Sequence, residues 1–160
     1  MKLRNIAKLI SAIVICQSAG IVGSIFTSSS VQTWYATLQL PSFAPPGWFI
    51  GMVWIILYTL MGISLYLVWN KGLRNKQVKN SLYLFGLQLI LNAVWSFIFF
   101  GLRSPFLALI EIVFLWVAIA FTILKFYKIS RKTAWLLLPY IAWVSVALTL
   151  NFYIWRLNPI

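Results

Sequence analysis

The sequence predicts an all-α membrane protein, a bundle of five transmembrane helices in one domain. Hydrophobic residues make up 62% of the chain and charged residues 9%, whereas about a quarter of the residues of a soluble domain are charged. The chain has no charged residue between Lys8 and Lys71. Its apolar residues form five stretches, each close to the ~20 residues that cross a bilayer. Because hydrocarbon offers the backbone no hydrogen-bonding partner, each stretch is expected to be helical.

The first predicted helix covers about residues 6–27. Lys2, Arg4 and Lys8 precede its apolar residues, as in a secretory signal peptide. No small-residue cleavage site follows, however, and the apolar stretch continues to Phe26. We therefore expect an uncleaved membrane helix.

Residues 28–46 form the long loop between the first two predicted helices. Three serines at 28–30 are expected to end the first helix, and residues 31–40 suit a short amphipathic piece at the interface. Three prolines then prevent a continuous helix, and the last of them, Pro46, suits the first turn of the second helix. The loop is expected to be either a lid over a ligand site in the bundle or a tether in the membrane interface.

The other four predicted helices cover about residues 47–69, 81–102, 105–126 and 133–155. With five crossings, the N-terminus and the second and fourth loops share one side of the membrane. That side carries eleven basic residues: Lys2, Arg4, Lys8, Lys71, Arg74, Lys76, Lys79, Lys125, Lys128, Arg131 and Lys132. The other side carries Arg103 and Arg156. This asymmetry predicts a cytoplasmic N-terminus and a C-terminus outside.

The polar side chains exclude most catalytic centres. The chain has one acidic residue, Glu111, one cysteine, Cys16, and no histidine. One carboxylate cannot form an acid–base pair, and one cysteine cannot build a zinc site or an internal disulfide. We therefore expect no metal, no cofactor and a binding protein rather than an enzyme. The net charge of +12 is assigned to anchors that face anionic lipid rather than to a nucleic-acid site.

Glu111 lies inside the fourth predicted helix, roughly 9 Å from its start. An ionised carboxylate at that depth is costly. The group is therefore expected to be neutral or hydrogen-bonded to a neighbouring helix, and a role in proton-coupled transport is the alternative.

Three of the predicted helices each carry a stripe that mixes tryptophan with amide or hydroxyl groups. The second helix contributes Trp54, Tyr58, Met61 and Leu65; the third contributes Gln88, Asn92, Trp95, Ser96 and Phe99; the fifth contributes Trp135, Pro139, Trp143, Ala147 and Asn151. Interhelical packing explains any single stripe. Three stripes together predict a shared cavity with apolar walls and a few polar groups, and its aromatic walls suit a large flat ligand that stacks on them.

Several motifs resemble those of the TspO/MBR family over nearly the whole chain. They are WYATLQLPSFAPP at 34–46, QLILNAVWS at 88–96, and the fifth-helix residues Trp135, Pro139, Tyr140, Trp143, Ala147 and Asn151 with the closing RLN at 156–158. Two loop positions depart from the family pattern: Leu40 stands where many members have lysine, and Phe43 where many have tryptophan.

The resemblance implies a five-helix membrane protein that pairs into homodimers. It also implies binding of porphyrins such as protoporphyrin IX, of cholesterol in mitochondrial members, and of synthetic isoquinolines. The implied pocket lies under the first loop and is lined by Tyr35, Trp54, Asn92, Ser96, Trp143 and Ala147. All of these except Tyr35 also belong to the three stripes.

The expected function is therefore a membrane receptor or sensor for porphyrins and similar flat apolar molecules. One alternative is a light-dependent porphyrin-degrading enzyme, for which the resemblance implicates Trp54 and Trp143. Another is a transporter of tetrapyrroles or sterols. Leu150, Tyr153 and Arg156 match a permissive sterol motif, although interfacial anchoring also explains the last two.

Overall fold

The structure, a computed structural model, describes residues 3–159 and consists of five long helices. Their bounds are α1 Leu3–Val31, α2 Gly47–Trp69, α3 Lys76–Ser96, α4 Pro105–Ile129 and α5 Arg131–Leu157. A short 3₁₀ turn covers Tyr35–Thr37, and a π-helical turn, Phe97–Gly101, continues α3. All five helices are long and apolar enough to cross a membrane. The predicted fold class is confirmed.

Helix α1 runs to Val31, so the expectation that the three serines end it is wrong. The reason lies in the serine hydroxyls, which bond to carbonyl groups instead of competing for the helix. Ser29 donates to the carbonyl of Phe26 at 2.9 Å. Ser30 donates to the carbonyl of Phe100 at 2.7 Å, which also ties the end of α1 to the π-helical turn.

The bounds of α2 and the start of α4 agree with the prediction, and α3 with its π-helical turn ends at Gly101, one residue before the predicted end. The start of α3, the end of α4 and both ends of α5 extend past the predicted residues. Helix α3 begins at Lys76 because Asn75 caps it, accepting from the backbone N–H of Gln77 at 2.8 Å. Helix α5 begins at Arg131 and ends at Leu157. Hydropathy marks only the part of a helix that lies in hydrocarbon, whereas the backbone hydrogen bonds continue into the headgroup region.

Around the bundle the helices follow the order α1, α2, α5, α4, α3. The N-terminal part of α1 lies beside the end of α2, since the ammonium of Lys8 stands 5.8 Å from the ring centre of Trp69. We call this end of the bundle, with the α2–α3 and α4–α5 connections, the basic end, and the opposite end, with residues 28–46, the loop end. Lys2, counted with the basic residues, lies outside the described residues.

The half of the bundle towards the basic end is filled with side chains. The rings of Phe85 and Phe126 stack there with centres 5.6 Å apart. Helices α1 and α2 touch through Gly62, where an added Cβ would lie 2.6 Å from the Cα of Ile13. Small residues at such crossings let two membrane helices approach closely.

Glu111 is buried on the inner face of α4, with 8% of its surface exposed. Neither of its carboxyl oxygens has a hydrogen-bond partner within residues 3–159. The hydrogen bond expected from a neighbouring helix is therefore absent from the described part of the chain. An unpartnered carboxyl in such surroundings is least costly when it is neutral.

We predict that Gly62→Ala lowers the thermal midpoint of the detergent-solubilised protein. The new methyl group would overlap the α1 backbone, and overpacking of this kind costs about 1–3 kcal/mol. Gly51→Ala is the matched control, because a Cβ there meets nothing within 4 Å. Equal midpoints for the two variants would contradict the close α1–α2 crossing.

We predict that Glu111→Leu raises the thermal midpoint. The substitution removes a buried polar group that has no partner, and such groups cost about 1–3 kcal/mol. Glu111→Gln, which keeps a polar group of similar size, is expected to leave the midpoint near that of the parent protein. A lower midpoint for the leucine variant would mean that Glu111 makes a stabilising interaction.

Candidate ligand-binding cavity

A cavity of about 560 Å³ lies in the half of the bundle towards the loop end. This volume falls within the roughly 300–1,000 Å³ of typical small-molecule sites. All five helices line it, together with Tyr35 and Pro45 of the loop. Its walls are mainly apolar, and none of the described residues that line it is charged.

The cavity brings together the six residues predicted for the site. Tyr35, Trp54, Asn92, Ser96, Trp143 and Ala147 all line it. Their assignment as ligand contacts remains a prediction.

Aromatic neighbours hold the two predicted tryptophans in place. The ring of Trp54 stacks on Tyr58 of the same helix, with centres 5.4 Å apart, and meets Tyr140 edge-on at 6.3 Å. Trp143 on α5 meets Phe49 on α2 edge-on at 6.1 Å. Both indoles therefore have fixed positions in the wall.

A chain of hydrogen bonds lies at the inner end of the cavity and joins three helices. The hydroxyl of Tyr58 on α2 donates to the amide oxygen of Asn92 on α3. The Asn92 amide nitrogen donates to the Tyr140 hydroxyl on α5 at 3.1 Å, and that hydroxyl donates to the Gln88 amide oxygen at 2.8 Å. Because the Asn92 oxygen accepts from Tyr58 and the Asn92 nitrogen donates to Tyr140, these hydrogen bonds fix the orientation of the Asn92 amide.

Tyr140, which positions Asn92, was not predicted as a site residue. It belongs to the family motif, but it lies outside the stripe that steps by four residues along α5. Its neighbour Pro139 lies in that stripe. The signal that could have found it is a tyrosine in mid-membrane, because a buried tyrosine hydroxyl needs a partner.

The cavity also contains hydrogen-bond donors that have no partner among the described residues. The indole N–H of Trp95 donates to Asn151 at 3.1 Å, and that of Trp116 donates to Ser145 at 2.9 Å. The indoles of Trp54 and Trp143 have no such partner within residues 3–159. Neither does the hydroxyl of Ser96, for which Gly23 leaves room: an added Cβ there would lie 2.9 Å from the Ser96 Oγ.

Aromatic contacts hold the first part of the loop over the cavity. Trp34 meets Phe99 and Tyr35 meets Phe100, with ring centres 5.7 Å apart in each pair. Burial raises the pKa of Tyr35 above its ordinary value.

The middle of the loop is held by two reciprocal hydrogen bonds. The backbone N–H of Gln39 donates to the Asn158 side chain at 2.9 Å, and the Asn158 amide donates to the Gln39 carbonyl at 3.0 Å. Phe43 packs edge-on against Tyr153 at 5.4 Å. The loop is thus tied to the end of α5.

The π-helical turn supplies the ring contacts of the loop and was not predicted. Its extra residue lets Phe99 stack on Trp95, with centres 5.0 Å apart, while Phe100 meets Tyr35. Single π-helical turns are frequent at functional sites.

Trp135 lies outside the cavity, although the stripe on α5 included it. Its side chain is 67% exposed on the outer surface. A step of four residues overshoots a full turn by about 40°, so the stripe drifts around the helix. Trp143, Ala147 and Asn151 line the cavity, whereas Trp135 has turned away.

The three residues of the sterol motif do not share one surface. Leu150 lines the cavity. Tyr153 is exposed and packs on Phe43 of the loop, and Arg156 is exposed.

Comparisons with known proteins agree with the motifs. The model of the TspO/MBR family matches residues 12–156. The tryptophan-rich protein TspO of Archaeoglobus fulgidus is 44% identical over 96% of this chain and 99% of its own length. The human translocator protein is 43% identical over 86% of this chain and 82% of its own. Protein CrtK of Rhodobacter capsulatus is 36% identical over 91% and 89%, respectively.

We predict that Tyr140→Phe destabilises the protein by on the order of 1 kcal/mol. The substitution removes the acceptor of Asn92 and the donor to Gln88. Tyr66→Phe is the matched control, because Tyr66 is also buried and its hydroxyl makes no side-chain hydrogen bond within residues 3–159. Unfolding free energies measured in mixed micelles give the difference, and equal values would remove the hydrogen-bond chain as a stabilising element.

Proposed function

The chain belongs to the TspO/MBR family, and from this premise we propose that it is a membrane receptor or sensor for porphyrins. Its ligands are molecules such as protoporphyrin IX and similar flat apolar compounds, bound in the cavity under residues 28–46. The observation that carries the proposal is an uncharged cavity of about 560 Å³ whose walls include Trp54 and Trp143.

Stacking supplies the main attraction in this proposal. A flat conjugated ring gains most from aromatic faces that are already held in place, because no side-chain freedom is lost when it binds. Trp54 is held by Tyr58 and Tyr140, and Trp143 by Phe49. Ala147 lies one turn from Trp143, and its small side chain leaves room for a ligand beside α5.

Hydrogen bonding supplies orientation. The unused donors of Trp54, Trp143 and Ser96 suit uncharged acceptor atoms of a ligand, such as ester oxygens. Since the chain has no histidine, the usual axial ligand of haem iron is missing, and we expect a metal-free porphyrin to be preferred.

The surroundings of the site complete the proposal. The excess of basic residues at the basic end indicates that this end faces the cytoplasm. The loop end and the C-terminus then face outwards. A second copy of the chain is the expected protein partner, an assignment that rests on the family resemblance.

We predict saturable quenching of tryptophan fluorescence when the purified protein is titrated with protoporphyrin IX in the dark. Trp54→Phe and Trp143→Phe are each expected to raise the Kd by about two- to tenfold, the equivalent of roughly 0.5–1.5 kcal/mol of aromatic stacking. Trp135→Phe is the matched control, because its indole lies on the outer surface and should leave the Kd unchanged.

Three outcomes would change the assigned function. Quenching that never saturates and is equal in all four proteins would mean that the porphyrin only partitions into detergent. Illumination of the bound sample tests the enzyme alternative: a light-dependent spectral change lost in Trp143→Phe, with binding retained, would assign porphyrin breakdown to the cavity. Ligand flux across reconstituted vesicles would favour transport.

A further inference from the structure

The backbones of α1 and α2 come close together towards the basic end. Gly62 brings the α2 backbone against Ile13. The contact continues past Ile13 to Gly20, where an added Cβ would lie 2.5 Å from a ring carbon of Tyr58. Between these two points the amide nitrogen of Gln17 donates to the Ile55 carbonyl at 3.0 Å and to the Thr59 hydroxyl at 3.1 Å. We call this pair of bonds the Gln17 latch.

Beyond the contact of Gly20 with Tyr58, towards the loop end, the space between the two helices is not filled. A Cβ added to Gly47 or Gly51 of α2 would meet no atom within 4 Å. Both glycines line the cavity, as do Ile21 and Ser24 on the facing side of α1. The glycines therefore mark a gap that leads from the cavity towards the outside of the bundle.

The exposure of the lining residues agrees with this gap. Residues at the inner end of the cavity are almost fully enclosed: 4% of Asn92 and 6% of Tyr58 are exposed. Ile21 and Ile55 line the same cavity but are 64% and 62% exposed. Such side chains lie at the rim of an opening rather than in a closed wall.

This opening lies within the membrane. Gly51 is four residues after the start of α2 at Gly47, which places it about 6 Å along the helix axis. Ile55 lies one further turn towards the middle of the bilayer. The surroundings of the opening are therefore acyl chains rather than water.

The loop offers no comparable gap. Trp34 and Tyr35 pack on the rings of the π-helical turn. Gln39 is joined to Asn158 by two hydrogen bonds. Entry beneath the loop would require these contacts to break, whereas the exposed side chains of Ile21 and Ile55 lie at the rim of the gap between α1 and α2.

We propose that the cavity exchanges its ligand with the bilayer through the lateral opening between α1 and α2, bounded by Ile21, Ser24, Gly51 and Ile55 and closed below by the Gln17 latch. The ligand class is then an amphiphile that is already dissolved in the membrane, with a flat apolar body in the acyl region. The inference rests on the proposed function, because it concerns the same cavity, but it does not depend on which such amphiphile is bound.

The test is the kinetics of protoporphyrin IX binding to the full chain in lipid nanodiscs. Gly51→Trp fills the opening, and we expect its association and dissociation rate constants to fall together by about tenfold or more, whereas a substitution that only damaged the site would raise the dissociation rate constant. Met52→Trp is the matched control, because Met52 adjoins Gly51 but does not line the cavity. Its rate constants should stay at the parent values.

A reversible obstruction guards against misfolding of the tryptophan variant. In a Cys16→Ala background, Gly51→Cys can be labelled with a benzyl methanethiosulfonate and restored with dithiothreitol. Association is expected to slow on labelling and to recover on reduction. Rate constants that ignore the label would overturn the lateral route.

The competing route is tested by locking the loop. In the same background, Gln39→Cys with Asn158→Cys joins the loop to α5 when oxidised, and mass spectrometry verifies the bond. We expect oxidation to leave the association rate unchanged; a rate that falls only on oxidation would assign entry to the loop instead.

The lateral route and the proposed function fail in different ways. If the parent protein shows no saturable porphyrin binding, the proposed function is wrong. If the parent protein binds but neither Gly51 variant is slowed, the site stands and the lateral route is wrong.

Discussion

The hydrogen-bond chain from Tyr58 through Asn92 and Tyr140 to Gln88 is the interaction on which the architecture of the cavity depends. It joins α2, α3 and α5 at the depth where the filled half of the bundle meets the hollow half. Lipid competes with apolar side chains for contact, so burial alone does not hold membrane helices in register. Directional hydrogen bonds between buried polar groups can hold the helices in register. Here they keep three helices at a fixed separation while the space beyond them stays open.

The two halves of the bundle differ because small residues are used in two ways. Towards the basic end Gly62 lets α1 and α2 touch, and large side chains such as Phe85 and Phe126 fill the interior. Towards the loop end Gly47 and Gly51 face no neighbouring atom, so the absence of a side chain leaves space instead of permitting contact. Gly62 thus allows close contact in one part of the α1–α2 interface, whereas Gly47 and Gly51 leave another part open.

Much of the fold and most of the candidate site could be predicted from the sequence, for separate reasons. Hydropathy predicts the helices because hydrocarbon leaves the backbone no alternative, but it misses the capped start at Asn75 and the serine-rich end of α1. Helical spacing places Asn92, Ser96 and Trp143 on inner faces, yet it wrongly includes Trp135 because a four-residue step drifts. The partner of Asn92, the isolation of Glu111 and the gap beside Gly51 depend on how helices meet, which spacing within one helix does not determine.

The chemistry of the cavity restricts how an anionic ligand can lie in it. No described residue in the lining is charged, and a carboxylate moved into such surroundings without a counter-charge loses far more free energy than a few hydrogen bonds return. Carboxylate groups on a flat ligand are therefore best placed at the loop end, where Arg103 and Arg156 are exposed, with the apolar ring directed inwards between Trp54 and Trp143. A molecule lying at the membrane surface already has this orientation, because its charged edge stays with the headgroups while its ring lies among the acyl chains. Sideways movement through the gap between α1 and α2 would preserve that orientation throughout, so the charged edge would never have to cross the apolar lining.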